Sequence, residues 1–235
     1  MSDLQDSGDG FWGRTEEREF SYVVTVPSSG ENVSLTAVQD RDICAGTPEF
    51  PSHGHCVWDA ALLLADYLQS KAKDEEGEGR SDFQDKKVVN WEYALPLLNK
   101  NVAVNFLRGE SNKLAAAAAI PVVEECQWGE NVKSGGSLAA WVKDTDVVVF
   151  SDVLYNAAAS ILLIQTLHQL VSPTTDVIFS FETRNAAIEA NFLQELRRTF
   201  DVDEVSRVSN ARIFASFEYP DELFIFHARP KQDWR

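Results

Sequence analysis

Positive charge is scarce in this sequence. It has 21 Lys and Arg against 37 Asp and Glu, a net charge of −16. A generic nucleic-acid binder needs a basic stripe and a membrane-surface protein needs Lys and Arg near the headgroups, so neither class is expected. Cysteine is nearly absent. Cys44, Cys56 and Cys126 are odd in number and widely spaced, which predicts free thiols in a reducing compartment, cytoplasmic or nuclear. Long apolar runs are missing too. Stretches such as Ala115–Val123 fall well short of the roughly 18–20 residues that cross a bilayer. The opening MSDLQDSGDG has neither the basic-then-apolar pattern of a secretory signal nor the Arg-rich character of a transit peptide. There is no G-x-S-x-G elbow, Walker loop, H-E-x-x-H or C-x-x-C, and no 20–50-residue repeat. His53-Gly54-His55-Cys56 looks superficially like a metal site. With His168 and His227 isolated, no second cluster completes four ligands, and no metal is assigned.

What remains is an ordinary globular composition, 44% hydrophobic over 235 residues. A chain of this length buries roughly 70–75% of its unfolded surface without staples. Residues 1–18 read as an acidic arm. Phe20, Tyr22, Val24 and Val26 alternate with polar residues, as do Val33, Leu35 and Ala37 after a Pro-Ser-Ser-Gly turn. That predicts an N-terminal β-hairpin within 19–52, whose last part is loop. Val57, Ala60, Ala61, Leu64 and Leu68 repeat at helical spacing, and 70–86 reads as a flexible acidic loop. Residues 86–89 start a strand, and a second helix is marked by Trp91, Ala94, Leu95, Leu98 and Val102, with Pro96 tolerable only in its first turn. Val122 to Cys126 and 146–150 read as strands, the latter buried on both faces. Then come a helix at 157–171, a buried strand at 177–179, a helix at 186–198 with Ile188, Phe192 and Leu196 in one stripe, and late strands at 200–208 and 223–227. Alternating strands and helices after residue 86 predict an α/β fold with a largely parallel sheet, one domain over 19–228 and a short tail at 229–235.

In open α/β sheets, ligands sit beyond the carboxyl ends of strands. Ser151-Asp152-Val153-Leu154-Tyr155 follows such a strand. Asp152 there is either cleft chemistry or the cap of the next helix. Trp128, in Cys126-Gln127-Trp128-Gly129, either flanks a ligand ring or packs in the core. Glu182-Thr183-Arg184 is either a cleft-edge ion pair or a helix start, and His168, in an apolar helix, is assigned to packing.

Taken in order, the segments His55-Cys56-Val57-Trp58-Asp59-Ala60, Leu64-Ala65-Asp66-Tyr67-Leu68, Lys86-Lys87-Val88-Val89, Ala94-Leu95-Pro96-Leu97-Leu98 with Asn101 and Asn105, Gln127-Trp128-Gly129, Asp146…Tyr155 and Phe181-Glu182-Thr183-Arg184 resemble seven-β-strand, S-adenosylmethionine-dependent protein-lysine methyltransferases. The resemblance is to the methyltransferase-like family 21 type, which acts on chaperones and elongation factors, and it covers most of 20–228. It implies a Rossmann-like class I methyltransferase sheet of order 3-2-1-4-5-7-6 and a monomer that acts on a protein substrate. By position it implies that Trp58 contacts the methionine end of the cofactor, Trp128 packs beside the adenine, and the Ser151 backbone lines the cofactor. Asp152 and Tyr155, an Asp-x-x-Tyr motif, would face the methyl acceptor. The family follows its first strand with Glu-Leu-Gly-x-Gly-x-Gly, a helix, a second strand and an acidic residue. Here Val89 runs straight into Asn90-Trp91-Glu92-Tyr93. A strand–helix–strand unit takes roughly 30 residues or more, so one strand and one helix are missing, as in an alternative splice form or a gene-model gap. The expectation is a hampered grip on S-adenosylmethionine, and strand 121–126 moved into the vacated slot beside 86–89.

Overall fold

The alternation at the N-terminus becomes an antiparallel hairpin, β1 (Glu19–Thr25) against β2 (Asn32–Val38), in register from Glu19 opposite Val38 to Thr25 opposite Asn32. This is a computed structural model, and it describes residues 17–25, 30–40, 56–74, 88–90, 95–107, 123–130 and 145–233. The acidic arm up to residue 16, the hairpin tip at 26–29, the segment carrying His53 and His55, the loop from 75, Trp91 and Glu92, Ala115–Ala119 and Gly135-Gly136 lie outside the described residues. The chain divides into two compact units, one of 1–57 with 68–126 and one of 58–67 with 127–235. Helix α1 (Asp59–Asp74) contributes residues to both. It runs to Asp74, so the first residues of the stretch read as a flexible loop are helical. Gln, Ser, Lys and Ala are compatible with helix once the apolar stripe has nucleated it.

In the first unit, α2 (Leu95–Val102) has Pro96 in its first turn, where the missing N–H is no loss. One π-helical turn, Ala103–Leu107, continues it. Two asparagines on this element close the free edge of β2. Asn101 accepts from the Val38 N–H at 2.7 Å and donates to the Val38 carbonyl at 3.0 Å. Asn105 does the same for Thr36, at 2.7 and 2.8 Å. A side-chain amide carries one donor and one acceptor in peptide-like geometry, so each asparagine replaces one residue of a neighbouring strand. Val38 and Leu97 are buried beside it, with Val104 packed against them. β3 (Val88–Asn90) pairs in parallel with β4 (Val123–Glu125), Val88 opposite Val123. The pairing expected between 121–126 and 86–89 is therefore present over Val123–Glu125 and Val88–Asn90.

The second unit holds a four-stranded sheet of order β5-β6-β8-β7: β5 (Val147–Ser151), β6 (Asp176–Glu182), β7 (Phe200–Glu204) and β8 (Leu223–Pro230). That order is the 4-5-7-6 half of the sheet implied by the resemblance. The sheet is mixed rather than simply parallel. β5 and β6 pair in parallel, and β8 lies antiparallel to both of its neighbours. Phe150, Phe179, Phe181 and Phe226 face α3 (Ala157–Leu170) and α4 (Ala186–Leu196), where Leu163, Leu167, Phe192 and Leu196 complete the core. Phe150 stacks on Phe179 at 4.8 Å and Phe192 meets Phe179 edge-on at 5.8 Å. The opposite face receives the start of α1. Ser180, buried in the central strand, donates to the Ala60 carbonyl at 2.7 Å, and Tyr67 meets His227 at 3.0 Å.

Three expectations are corrected here. β5 is not covered on both faces, since Val149 is 46% exposed while its neighbours Val148 and Phe150 pack on the core. β7 stops at Glu204 rather than 208. β8 continues through Arg229 to Pro230 because β7 extends the ladder along it, Phe200 opposite Pro230, so these residues are strand and not tail. His168 packs as expected, meeting the Thr199 hydroxyl at 2.7 Å and stacking on Phe200, and burial lowers its pKa. Cys56 and Cys126 are free thiols, and no helix among the described residues is long and apolar enough to cross a membrane.

The asparagine pairing generates a test. Asn101→Ala leaves the Val38 N–H and carbonyl without partners and is expected to destabilise the first unit by about 1–3 kcal/mol. Hydrogen exchange should show the lost protection concentrated at Val38, with Thr36 less affected.

Candidate functional site

The site begins where β5 ends. Ser151 closes the β5–β6 ladder opposite Ser180. The Ser180 hydroxyl, which donates to the Ala60 carbonyl at 2.7 Å, also lies 3.0 Å from the Ser151 hydroxyl. The chain then turns sharply. Asp152 has φ +53, the one non-glycine residue with positive φ among those described. Asp tolerates this left-handed region better than most residues, at a cost of about 1 kcal/mol. The turn lets the Asp152 N–H reach the Ser180 carbonyl at 3.0 Å and swings its carboxylate to the end of β6, where Oδ1 accepts from the Glu182 N–H at 3.0 Å. Oδ2 is shielded from solvent and has no hydrogen-bond partner among the described residues.

Asp152 is therefore not the cap of the following helix. Asn156 is, its side chain accepting from the Ala159 N–H at 3.0 Å. At α4 the cap is Asn185, supported by Glu189, which accepts from the Arg184 and Asn185 N–H groups at 2.8 Å each. That frees the Glu182 and Arg184 side chains for an ion pair at 2.7 Å.

Asp152, Leu154, Tyr155, Phe181, Glu182 and Arg184 line one small cleft open to solvent. Tyr155 is 50% exposed at its rim, and partial burial raises its pKa. The Arg184 guanidinium lies 4.4 Å above the Trp58 ring, so Trp58 joins the cleft through a cation–π contact. Asp59, the next residue, is buried at the head of α1. Trp128 is placed differently. Its ring is half-buried against the core cluster, on a turn fastened to α3. The Gly129 N–H donates to Thr166 Oγ1 at 2.9 Å, and Gln169 donates to the Glu130 carbonyl at 2.9 Å. Gly129 has φ +83, and a Cβ there would meet Leu162 at 2.6 Å, so only glycine fits. The structure thus brings Asp152, Tyr155, Ser151 and Trp58 to one region and packs the half-buried Trp128 ring against the core cluster. Arg184 over Trp58 is the contact that sequence spacing does not announce.

The electrostatics are dominated by burial. The Asp152 carboxyl is pushed up to about 6, chiefly by desolvation. The Glu182 N–H and Arg184 lower it, while Glu182 and Asp59 raise it. Glu182 is also raised, first by burial, then by Asp59 and Glu222, against the lowering effect of Arg184. Three carboxylates around one guanidinium make a region that favours a second cation.

The sequence matches the lysine methyltransferase family over residues 87–199. The protein N-lysine methyltransferase METTL21A of Danio rerio is 29% identical over 167 residues, covering 63% of this chain and 69% of the relative. That of Mus musculus is 29% identical over 157 residues, with the same coverage. Over that segment the chain is similar to the lysine methyltransferase family. The family match ends at Thr199, in the turn before β7, and it includes the turn that carries Asp152 and the whole cleft lining.

The raised Asp152 carboxyl has a consequence for stability. An unfolded Asp ionises near 3.8 and this one near 6. Between those pH values the unfolded state releases its proton first, so stability falls as pH rises and levels off above about 6. Two pH units correspond to about 3 kcal/mol. Asp152→Asn keeps the acceptor for the Glu182 N–H and removes the buried charge. It is expected to be about 1–3 kcal/mol more stable than the parent above pH 7, and chemical denaturation across pH 4–8 should show the decline abolished.

Proposed function

We propose that the Asp152 cleft is the methyl-acceptor site of a protein-lysine methyltransferase, and that this chain holds the donor, S-adenosylmethionine, weakly. The observation that carries the acceptor half is the shielded Asp152 Oδ2, a carboxylate oxygen without a partner among the described residues, in a cleft rimmed by Tyr155. An arriving lysine ammonium supplies the missing hydrogen bond and the missing charge. Tyr155, Leu154 and Phe181 shape a slot that keeps the alkyl stem dry. A lysine ionises near 10.4 in water and has to lose a proton before it can attack. Desolvation in the slot lowers that value, and an Asp152 carboxylate with a conjugate acid near 6 holds the ammonium on arrival.

The donor half fits less well. Trp58, Trp128 and the Ser151 backbone are the residues left to hold the cofactor, and their roles rest on the family resemblance. The sequence passes from Val89 to Asn90-Trp91-Glu92-Tyr93 with no glycine-rich turn, and β4 pairs directly with β3. Glycines in such a turn allow backbone N–H groups to close on a cofactor, and the acid after a second strand accepts from ribose hydroxyls. Losing several of these contacts takes an affinity from micromolar to millimolar, at about 1.4 kcal/mol per tenfold. When bound, the donor supplies an electrophilic methyl group on a sulfonium, and catalysis of such an in-line displacement is largely positioning.

The missing turn also favours a second reading, an inactive binding module that keeps the acceptor cleft. Calorimetry of S-adenosylmethionine against this chain, and against the chain with a glycine-rich block inserted after Val89, separates the possibilities. The expected result is no saturation at micromolar donor for the former and saturation for the latter. Tight binding by the short chain would overturn the weak-donor half. In the restored chain Asp152→Asn is expected to abolish methyl transfer to lysine, and undiminished transfer would remove Asp152 from the site. Lysine methylation by the short chain at millimolar donor supports the enzyme, and its absence supports the module.

A further inference from the structure

The cleft contains a cation of its own. Arg184 is 45% exposed, yet its guanidinium is held at two places, 2.7 Å from Glu182 Oε2 and 4.4 Å above the Trp58 ring. Its own backbone N–H is held as well, by Glu189 at 2.8 Å. The carboxylate contacts at the cleft then divide in a definite way. Glu182 Oε2 belongs to Arg184, Asp152 Oδ1 belongs to the Glu182 N–H, and Asp152 Oδ2 is the shielded oxygen left over.

We propose that Arg184 is a positioning residue of the cleft, clamped between Trp58 and Glu182 so that Glu182 Oε2 is occupied and the shielded Asp152 Oδ2, without a partner among the described residues, is left for an incoming ammonium. This rests on reading Asp152 as the acceptor-facing group. Arg184 acts through other residues and does not touch the methyl acceptor. Without it, Glu182 and Asp152 are neighbouring carboxylates at the end of β5 and β6 with buried Asp59 beside them, and like charges in one region cannot all stay ionised. The groups acting on Asp152 are Glu182 and Arg184 from the end of β6 and Asp59 from the head of α1, while Glu222, before β8, acts on Glu182. Arg184 is the one cation among them. Trp58 gives the guanidinium a flat seat that an alkylammonium would use less well.

The test uses the chain alone, with neither donor nor acceptor, so it stands apart from whether methyl transfer occurs. Side-chain carboxyl ¹³C signals are followed from pH 4 to 9, with Asp152 assigned by its loss in Asp152→Asn. In Arg184→Gln the Asp152 midpoint is expected to move upward by about one pH unit, and Arg184→Lys, which keeps the charge, should restore most of that shift. An unmoved midpoint in Arg184→Gln, or Arg184→Lys behaving like Arg184→Gln, overturns the proposal. A measurement on the unaltered chain covers a variant that does not fold. A clamped guanidinium rotates slowly and gives resolved Arg184 η-nitrogen signals at pH 7.5, which should merge once the cleft carboxylates are protonated. Freely rotating signals at pH 7.5 would likewise overturn it.

Discussion

One backbone N–H decides how the cleft is built. β6 is the most buried strand of its sheet, and along its β5 side the ladder stops at Ser180, opposite Ser151. The next N–H on that side, that of Glu182, would be left without a partner where β5 turns away. Asp152 enters a left-handed conformation, and its carboxylate supplies the bond. The backbone strain of about 1 kcal/mol is offset by a charge-assisted hydrogen bond of similar or larger size. The consequence is a carboxylate pinned by one oxygen and unsatisfied at the other. Strain and an unmet acceptor at the same residue are features that packing alone would have removed, and they are common where a protein has to recognise something else.

The same turn explains why burial and reactivity coincide. Ser151, Ser180 and the Ala60 carbonyl form a short hydrogen-bond chain on the α1 side of the sheet, and Phe179 and Phe181 fill the other side. Asp152 thus stands at the boundary between a phenylalanine core and an open slot. Desolvation raises its carboxyl to about 6, so at neutral pH it is mostly ionised but held at an energetic disadvantage. A cation relieves that disadvantage. The stabilisation expected for Asp152→Asn and the proposed affinity for an ammonium are therefore two faces of one unfavourable charge.

Much of this arrangement was legible in the residues. Val147 to Phe150 and Val177 to Phe179 declared strands by β-branched and aromatic runs, and Ile188, Phe192 and Leu196 declared α4 by their spacing. Asp152 was legible as a position beyond a strand end. Whether it was cap or cleft was not, because Asp and Asn cap equally well and the choice falls to where the apolar stripe of Leu163, Ile164 and Leu167 starts the helix. The open face at Val149 could not be read from an unbroken apolar run, since composition does not say which side a neighbour covers. The extension of α1 to Asp74 was hidden by a polar sequence whose residue types helix tolerates. Arg184 over Trp58 was beyond sequence reading altogether, because a cation–π contact between distant residues leaves no periodicity.

The two halves of the proposed methyl-transfer site are separable for a structural reason. The residues lining the cleft run from Asp152 to Arg184 and lie wholly in the second unit. Their positions are set by β5, β6, α3 and α4, a core in which Phe179 and Phe192 are fully buried. The glycine-rich block would have followed β3, in the first unit, where β4 now pairs with β3 and satisfies its ladder. A deletion that left β3 with an unpaired edge would have invited misassembly. On the proposed reading, the β3–β4 pairing stands where main-chain donors for a cofactor would be, while the supports of the Asp152 cleft are unaffected. Acceptor recognition and donor retention then become independent quantities, each open to measurement without the other.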